Sequence, residues 1–344
     1  MAVIGEAELK QQLKTGEYAS AYFIFGEESY LKEFYISKLK SKLVDEAFAD
    51  FNLHQHEGKD SSIDDILMDA SMLPMMSERS LVIAHDYPFD KTSDEEKLEE
   101  YLKDSPETSV LVFWFDSIEV DIKRVKKWGR ISKLFEKYGC SVALEKRSEG
   151  ELAKLVINSA KKRGCNIDRV CASYLISVVG NDIQTIFNEL EKICSFVGEG
   201  DITRKEIDEL AVKSLQARVY DLSKFILKGN GDGAYGVLTA LFAQKEEVIR
   251  IFSVLASCYV DMYRVKCARQ AGIPDSEIAS VFGYKGREFL IRNAARDGSY
   301  MSIEALRQAL DLLSEADEKL KSTGIDDKLV LEETVAKLLI MRNR

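Results

Sequence analysis

Proline is scarce, four in 344 residues, and no low-complexity tract interrupts the chain, so a disordered tail is not expected. No apolar run approaches the length of a membrane span. The opening Met1-Ala2-Val3-Ile4-Gly5-Glu6 has neither a basic region nor an apolar core, and does not read as a secretory signal. The six cysteines (Cys140, Cys165, Cys171, Cys194, Cys258, Cys267) include no C-x-x-C pair. Without an export signal they read as buried thiols of a reducing cytoplasm. Positive charge is in deficit, with a formal net charge of -10. A protein that binds nucleic acid unaided carries a basic excess or a basic block, so DNA contact is expected to be local or shared with other chains.

What is present is the composition of a soluble globular protein, 46% apolar and 31% charged, with length for two or three domains. Up to about residue 145, strands alternate with helices. The strand candidates are Ala21–Phe25 (ending at Gly26), Phe51–His54, Leu81–Ala84, Val110–Phe115 and Val142–Leu144. Between them lie helical patterns at Tyr30–Val44, with Leu31, Phe34, Leu39 and Leu43 available to a core, at Glu95–Lys103 and at Ile131–Tyr138. Short apolar strands alternating with helices predict a parallel sheet covered on both faces.

In such folds the turn after the first strand cradles phosphate with glycines, a lysine and a hydroxyl. Here it reads Gly26-Glu27-Glu28-Ser29-Tyr30-Leu31-Lys32, lacking the second glycine and the Lys-Ser/Thr pair, and two carboxylates would repel a triphosphate. The acidic pair that would hold a metal is incomplete: Asp86 follows His85, but Tyr87 stands where the second acid belongs. Two readings stay open, an unrelated α/β domain or a nucleotide fold without ATP chemistry. His54 and His56 share one side of a strand but have no third ligand in the sequence, so they are expected to face solvent and no metal is expected. Lys123, Arg124, Lys126, Lys127 and Arg130 surround Trp128, either as a DNA-backbone contact or as a solvated helix face. Asp94 to Glu100 reads as helix surface.

Ser148-Glu149-Gly150-Glu151 fits a capping box and opens a region expected to be wholly helical. Asp182–Ser195 places Ile183, Ile186, Phe187, Leu190, Ile193 and Cys194 on one stripe, and Thr203-Arg204-Lys205-Glu206 opens another helix. About three helices make a small bundle here. From Leu215 onward the pattern is helical, with Ser302 capping a seam of Ile303, Leu306, Leu310 and Leu313, and a final stripe of Leu331, Val335, Leu338 and Leu339. Gly229-Asn230-Gly231-Asp232-Gly233 follows a helix rather than a strand and reads as a turn, not a dinucleotide loop. Asp275–Gly283 followed by Arg287–Arg292 has helix-turn-helix spacing, which two packed helices of a bundle also produce.

The most unusual stretch is Ser71-Met72-Leu73-Pro74-Met75-Met76-Ser77-Glu78-Arg79. It follows a helix with Ile63, Ile66, Leu67 and Ala70 on one face and precedes an apolar strand. Polar turn residues are usual at such a junction. Patterning favours methionines that plug the space between helix and sheet; the alternative is a knob for a partner's pocket, since methionine fits without a unique rotamer.

Four segments resemble the delta-subunit family of bacterial DNA polymerase III. They are Tyr22–Leu31, Leu73–Ile83, Gly180-Asn181-Asp182 with Asn188–Lys192, and Ala316-Asp317 with Lys319–Gly324. The resemblance implies a degenerate AAA+-like α/β domain (1–145), a three-helix lid (146–212) and a helical collar (213–344). It implies a clamp-loader subunit that binds and opens the sliding beta clamp in DNA replication, within a DNA-directed DNA polymerase (nucleotidyltransferase) holoenzyme. The chain itself is then expected to be non-catalytic and cofactor-free. Implied partners are the clamp, the tau/gamma motor subunits, delta-prime and primed DNA. The clamp-binding pair falls on Met75 and Met76, supported by Met72 and Leu73, where the family more often has leucine and phenylalanine. This shifts the reading from plug to knob. Two alternatives remain, an active AAA+ ATPase and a DNA-binding regulator using Asp275–Arg292.

Overall fold

The computed structural model describes residues 3–284, 289–322, 324 and 326–342, and the chain forms two compact units, residues 1–146 and 147–344. The first unit runs α1 (Glu6–Thr15), β1 (Ala21–Phe25), α2 (Ser29–Leu43), α3 (Ala49–Asn52), β2 (Leu53–Glu57) and α4 (Ile63–Ala70). It continues through β3 (Ser80–His85), α5 (Thr92–Lys103), β4 (Ser109–Trp114), α6 (Lys126–Tyr138) and β5 (Cys140–Ala143). The strands form one sheet in the order β2-β3-β4-β1-β5, with every pairing parallel. Parallel strands joined by helices are covered on both faces, and β1, β3 and β4 are buried almost end to end. Phe23 anchors one face: its ring lies 5.2 Å from those of Phe25 and Phe115 and 5.4 Å from Phe135. Trp128 packs 5.1 Å from Phe115 in the same cluster and is 3% exposed.

Four local expectations change. Phe51-Asn52 closes the short helix α3 instead of opening a strand, because Asn52 folds back to donate to the Phe48 carbonyl at 3.1 Å. On α2 the buried stripe is Leu31, Tyr35, Ile36, Leu39 and Leu43, which leaves Phe34 exposed against the lysine of Lys38. Helices α5 and α6 begin at Thr92 and Lys126, earlier than the apolar periodicity reveals. Asp94 and Glu95 are buried rather than on the surface, since Tyr87 donates to Asp94 at 2.8 Å and Arg130 forks onto Glu95 at 2.8 and 2.7 Å.

The second unit begins with α7 (Glu149–Lys162), β6 (Cys165–Ile167), α8 (Arg169–Val179), α9 (Ile183–Val197), β7 (Gly200–Ile202) and α10 (Arg204–Leu210). The Ser148 and Thr203 capping boxes both form. In place of three helices alone there are four, with β6 and β7 paired as a short parallel ribbon. Such three-residue strands carry too little pattern to be seen in sequence. Helices α11 (Leu215–Leu227), α12 (Gly231–Ala243), α13 (Val248–Gln270), α14 (Asp275–Val281), α15 (Phe289–Asp297), α16 (Ile303–Ser322) and α17 (Asp327–Arg342) complete the unit. Helix α13 is its axis, burying Ile251, Leu255, Tyr259, Met262 and Val265 among α11, α15, α16 and α17. The expected final stripe, Leu331, Val335, Leu338 and Leu339, is buried, and Ser302 caps α16 by accepting from Ala305 N–H at 3.0 Å. Of the stretch expected as a turn, only Gly229 and Asn230 stay outside the helix: Gly231, Asp232 and Gly233 open α12, because Asn230 caps it by accepting from Gly233 N–H at 2.9 Å. Thr323, within one resemblance segment, lies outside the described residues.

All six cysteines are free thiols, but Cys171 and Cys267 are only half-buried, which corrects the expectation of six buried ones. No single helix among the described residues is long and apolar enough to cross a membrane.

The turn after β1 tolerates no side chain at its first position. Gly26 has φ +120°, and a Cβ there would lie 2.3 Å from the Leu144 carbonyl oxygen. Gly26→Ala is expected to lower stability by on the order of 3 kcal/mol, read as a shift of the urea midpoint at unchanged slope.

Candidate functional site

Two regions of the first unit carry the features singled out in the sequence. The first is the loop between α4 and β3. Its apolar side chains point to water: Leu73 is 78% exposed and Met76 82%, with Met72 at 44% and Met75 at 53%. They do not plug the space between helix and sheet; Ile63, Ile66 and Ala70 of α4 do that. The loop is nevertheless held. At its start, Ser71 N–H donates to Leu67 O at 3.0 Å and Met72 N–H to Asp69 O at 3.1 Å. In the middle, buried Asn52 accepts from Met75 N–H at 2.7 Å and donates to Met75 O at 2.8 Å and Ser77 Oγ at 3.0 Å. At its end, Arg79 lies over the Tyr18 ring at 5.7 Å. Met76 takes a left-handed backbone, φ +53°, which a non-glycine residue adopts only when its surroundings enforce it. Phe51 and Met68, one on each neighbouring helix, are also exposed.

The second region is the crevice at the carboxyl ends of β1, β3 and β4, where open parallel sheets bind ligands. Lys32 stands at the seventh position counted from Gly26, the spacing of a phosphate-loop lysine, but position six is Leu31 and position eight is Glu33. Lys32 is 2% exposed and its ammonium is fully engaged: Gly26 O at 2.9 Å, Phe115 O at 2.7 Å and Asp116 Oδ1 at 3.0 Å take its three donors. Glu28 is buried in the turn, and Glu27 lies 3.8 Å from Lys146. Asp86 bridges the neighbouring loop, accepting from the backbone N–H groups of Asp116, Ser117 and Ile118 at 2.9, 2.9 and 3.3 Å. Burial opposes its charge, yet those three donors hold its carboxyl below the usual carboxylate range. Burial likewise opposes the charge of Asp116, and hydrogen bonds from Ser29 and Lys32 hold it low in turn.

The remaining candidates are dispersed. His54 and His56 both turn to Asp69, at 3.4 and 2.9 Å, so they are half-buried rather than solvent-facing. Among the described residues no group of His, Cys, Asp or Glu is arranged to hold a metal ion. The basic cluster is split: Arg130 is taken by Glu95 and Lys127 by Asp90 and Pro88 O, with Lys127 also 4.6 Å over the Trp128 ring. Arg124 lies 3.7 Å from Asp121, and Lys123 donates its backbone N–H to Asp121 Oδ1 at 2.9 Å, while among the described residues no ion pair engages the side chains of Lys123 and Lys126. In the helix-turn-helix look-alike, Ile278 of α14 and Leu290, Ile291 and Ala294 of α15 face the helical core. Arg292 and Arg296 sit against Glu149 and Asp297, and Arg287 lies outside the described residues. Sequence reasoning missed Lys32, whose spacing was legible, and Asn52, which no motif marks.

The Asp86 bridge sets a pH dependence. Its folded pKa is depressed, so its contribution to stability is complete above the unfolded value of about 4 and is lost as pH falls through the folded one. Asp86→Asn is therefore expected to melt below wild type at pH 7, with the gap narrowing as pH falls below the unfolded value. Paired melting curves across that range check it.

Residues 22–145 match the family model of the DNA polymerase III delta subunit and residues 216–338 that of its C-terminal domain, while residues 148–209 match a middle-domain model. DNA polymerase III subunit delta of Bacillus subtilis (strain 168) is 26% identical over 343 residues, covering 97% of this chain and 96% of its own. A probable DNA polymerase III subunit delta of Aquifex aeolicus (strain VF5) is 22% identical over 258 residues, covering 73% and 72%. The solved structure of the Bacillus subtilis DNA clamp loader delta protein superposes with a TM-score of 0.62 at 25% identity, covering 97% of this chain and 99% of that one. The chain belongs to the DNA polymerase III delta-subunit family.

Proposed function

We propose that this chain is the clamp-loader subunit that grips the sliding clamp and favours its open form during DNA replication, without turning over ATP itself. The observation that carries the reading is the α4–β3 loop, whose Met72, Leu73, Met75 and Met76 are exposed on a backbone pinned from within. Fully burying one such side chain is worth about 1.5–3 kcal/mol. Met75 and Met76 together supply roughly 3–6 kcal/mol before ordering costs, a factor on the order of 10² to 10⁴ in affinity. That energy opens a ring only where the receiving pocket differs between closed and open clamp, because a ligand shifts an equilibrium only by its differential affinity.

The crevice supports the second half of the reading. A phosphate-loop lysine must reach the phosphates, and here all three donors of Lys32 are spent on protein acceptors beside two carboxylates. Energy from ATP would then come from the tau/gamma motor subunits, with delta-prime and primed DNA as further partners. Residues 146–212 would serve as lid and 213–344 as collar. Cations left to touch a DNA backbone are Lys123, Arg124 and Lys126, since Lys127 and Arg130 are committed elsewhere.

Met75→Ser with Met76→Ser in one chain is expected to weaken binding to the purified sliding clamp at least about 100-fold. Melting should stay within about 0.5 kcal/mol of wild type, as for other surface changes. Unchanged clamp affinity in a folded double variant would overturn the reading. Equilibrium dialysis with labelled ATP and Mg²⁺ is expected to show no saturable binding to the isolated chain.

A further inference from the structure

We infer that Asn52 is a positioning residue that holds the α4–β3 loop in its docking conformation before any partner arrives. The inference rests on reading that loop as the clamp-binding element. The loop contains no helix or strand, yet it exposes four apolar side chains that would otherwise sample many orientations. Asn52 supplies what a neighbouring strand would supply: its primary amide accepts from Met75 N–H and donates to Met75 O, satisfying both backbone groups of one residue. The amide is itself fixed. Asn52 is 0% exposed, and its Nδ2 is shared among Met75 O, Ser77 Oγ and Phe48 O, so α3 and the loop are tied by one side chain. The clasp sits between Pro74, which restricts φ, and Met76 in its left-handed conformation. Pro74 and Met75 are thus held by two different devices, with the strained backbone of Met76 directly beside them.

Ordering the loop in the free protein removes an entropic cost from binding. When only a fraction of molecules carries the competent loop, the apparent affinity falls by that fraction. The chemistry demands asparagine. Aspartate keeps the acceptor for Met75 N–H but loses the donors, alanine loses both, and glutamine overreaches by one methylene.

Three measurements on the full chain test this. In the wild type, Met75 N–H is expected to resist hydrogen exchange although its side chain is solvent-exposed; exchange at the rate of an unstructured peptide would overturn the inference without any mutation. Asn52→Ala is expected to bind the purified sliding clamp about tenfold more weakly, with Asn52→Asp in between, the loss falling on the association rate. The ε-methyl signals of Met75 and Met76 should become more averaged in both variants. A loss confined to the dissociation rate would overturn pre-ordering. Wild-type affinity in Asn52→Ala alongside a Met75→Ser/Met76→Ser double variant that no longer binds would refute Asn52's role and leave the clamp reading standing. Normal binding by that double variant would instead remove the clamp reading itself. If Asn52→Ala does not fold, Asn52→Asp and the wild-type exchange measurement still decide.

Discussion

A buried ammonium governs what the first unit can do. Lys32 lies at the mouth of a parallel sheet, where a nucleotide's phosphates are held in folds of this topology, and the residue is 2% exposed. A buried charge is tolerable only when fully paired, and Lys32 meets that condition by binding Gly26 O, Phe115 O and Asp116. The same bonds tie the turn after β1 to the loop after β4. Asp86 ties the loop after β3 to that same point through three backbone N–H groups. The crevice is thereby stapled by internal hydrogen bonds, and the residues that make it rigid are those whose counterparts elsewhere would handle phosphate.

The crevice is occupied by its own side chains, and the apolar surface that we propose for docking lies on the sheet's neighbour, the loop after α4. Leaving methionines outside costs the fold little, because the core beneath them is filled by Ile63, Ile66 and Ala70. The cost lies in order: a flexible apolar loop binds weakly and also sticks indiscriminately. Asn52 answers both by fixing the backbone while leaving the thioether tips free to adapt. Met76 at φ +53° marks the strain that this arrangement stores locally.

Much of this was legible in the residues. Continuous apolar strands at β1, β3 and β4 announced a parallel sheet, and the capping boxes at Ser148 and Thr203 announced helix starts, because each is a local signal with a local cause. Local pattern misleads where a distant partner decides. Asp94 and Glu95 look like surface until Tyr87 and Arg130 reach them. Phe51-Asn52 looks like strand until the Asn52 side chain finds Phe48 and Met75. His54 and His56 look solvent-facing until α4 brings Asp69 across. The ribbon of β6 and β7 joins two three-residue segments more than thirty positions apart, with no alternation long enough to detect.

By itself, the sequence determined the order of sheet and helices, the absence of a complete phosphate loop and the concentration of methionines around Pro74. These follow from side-chain periodicity and residue type, which act over a few neighbours. Only the tertiary structure decided that those methionines face water, that Lys32 is sealed against carbonyls, and that Asn52 holds Met75. Burial and hydrogen-bond partnership are properties of surfaces brought together by the fold, and a one-dimensional pattern cannot distinguish an apolar side chain that covers a neighbour from one that awaits a partner.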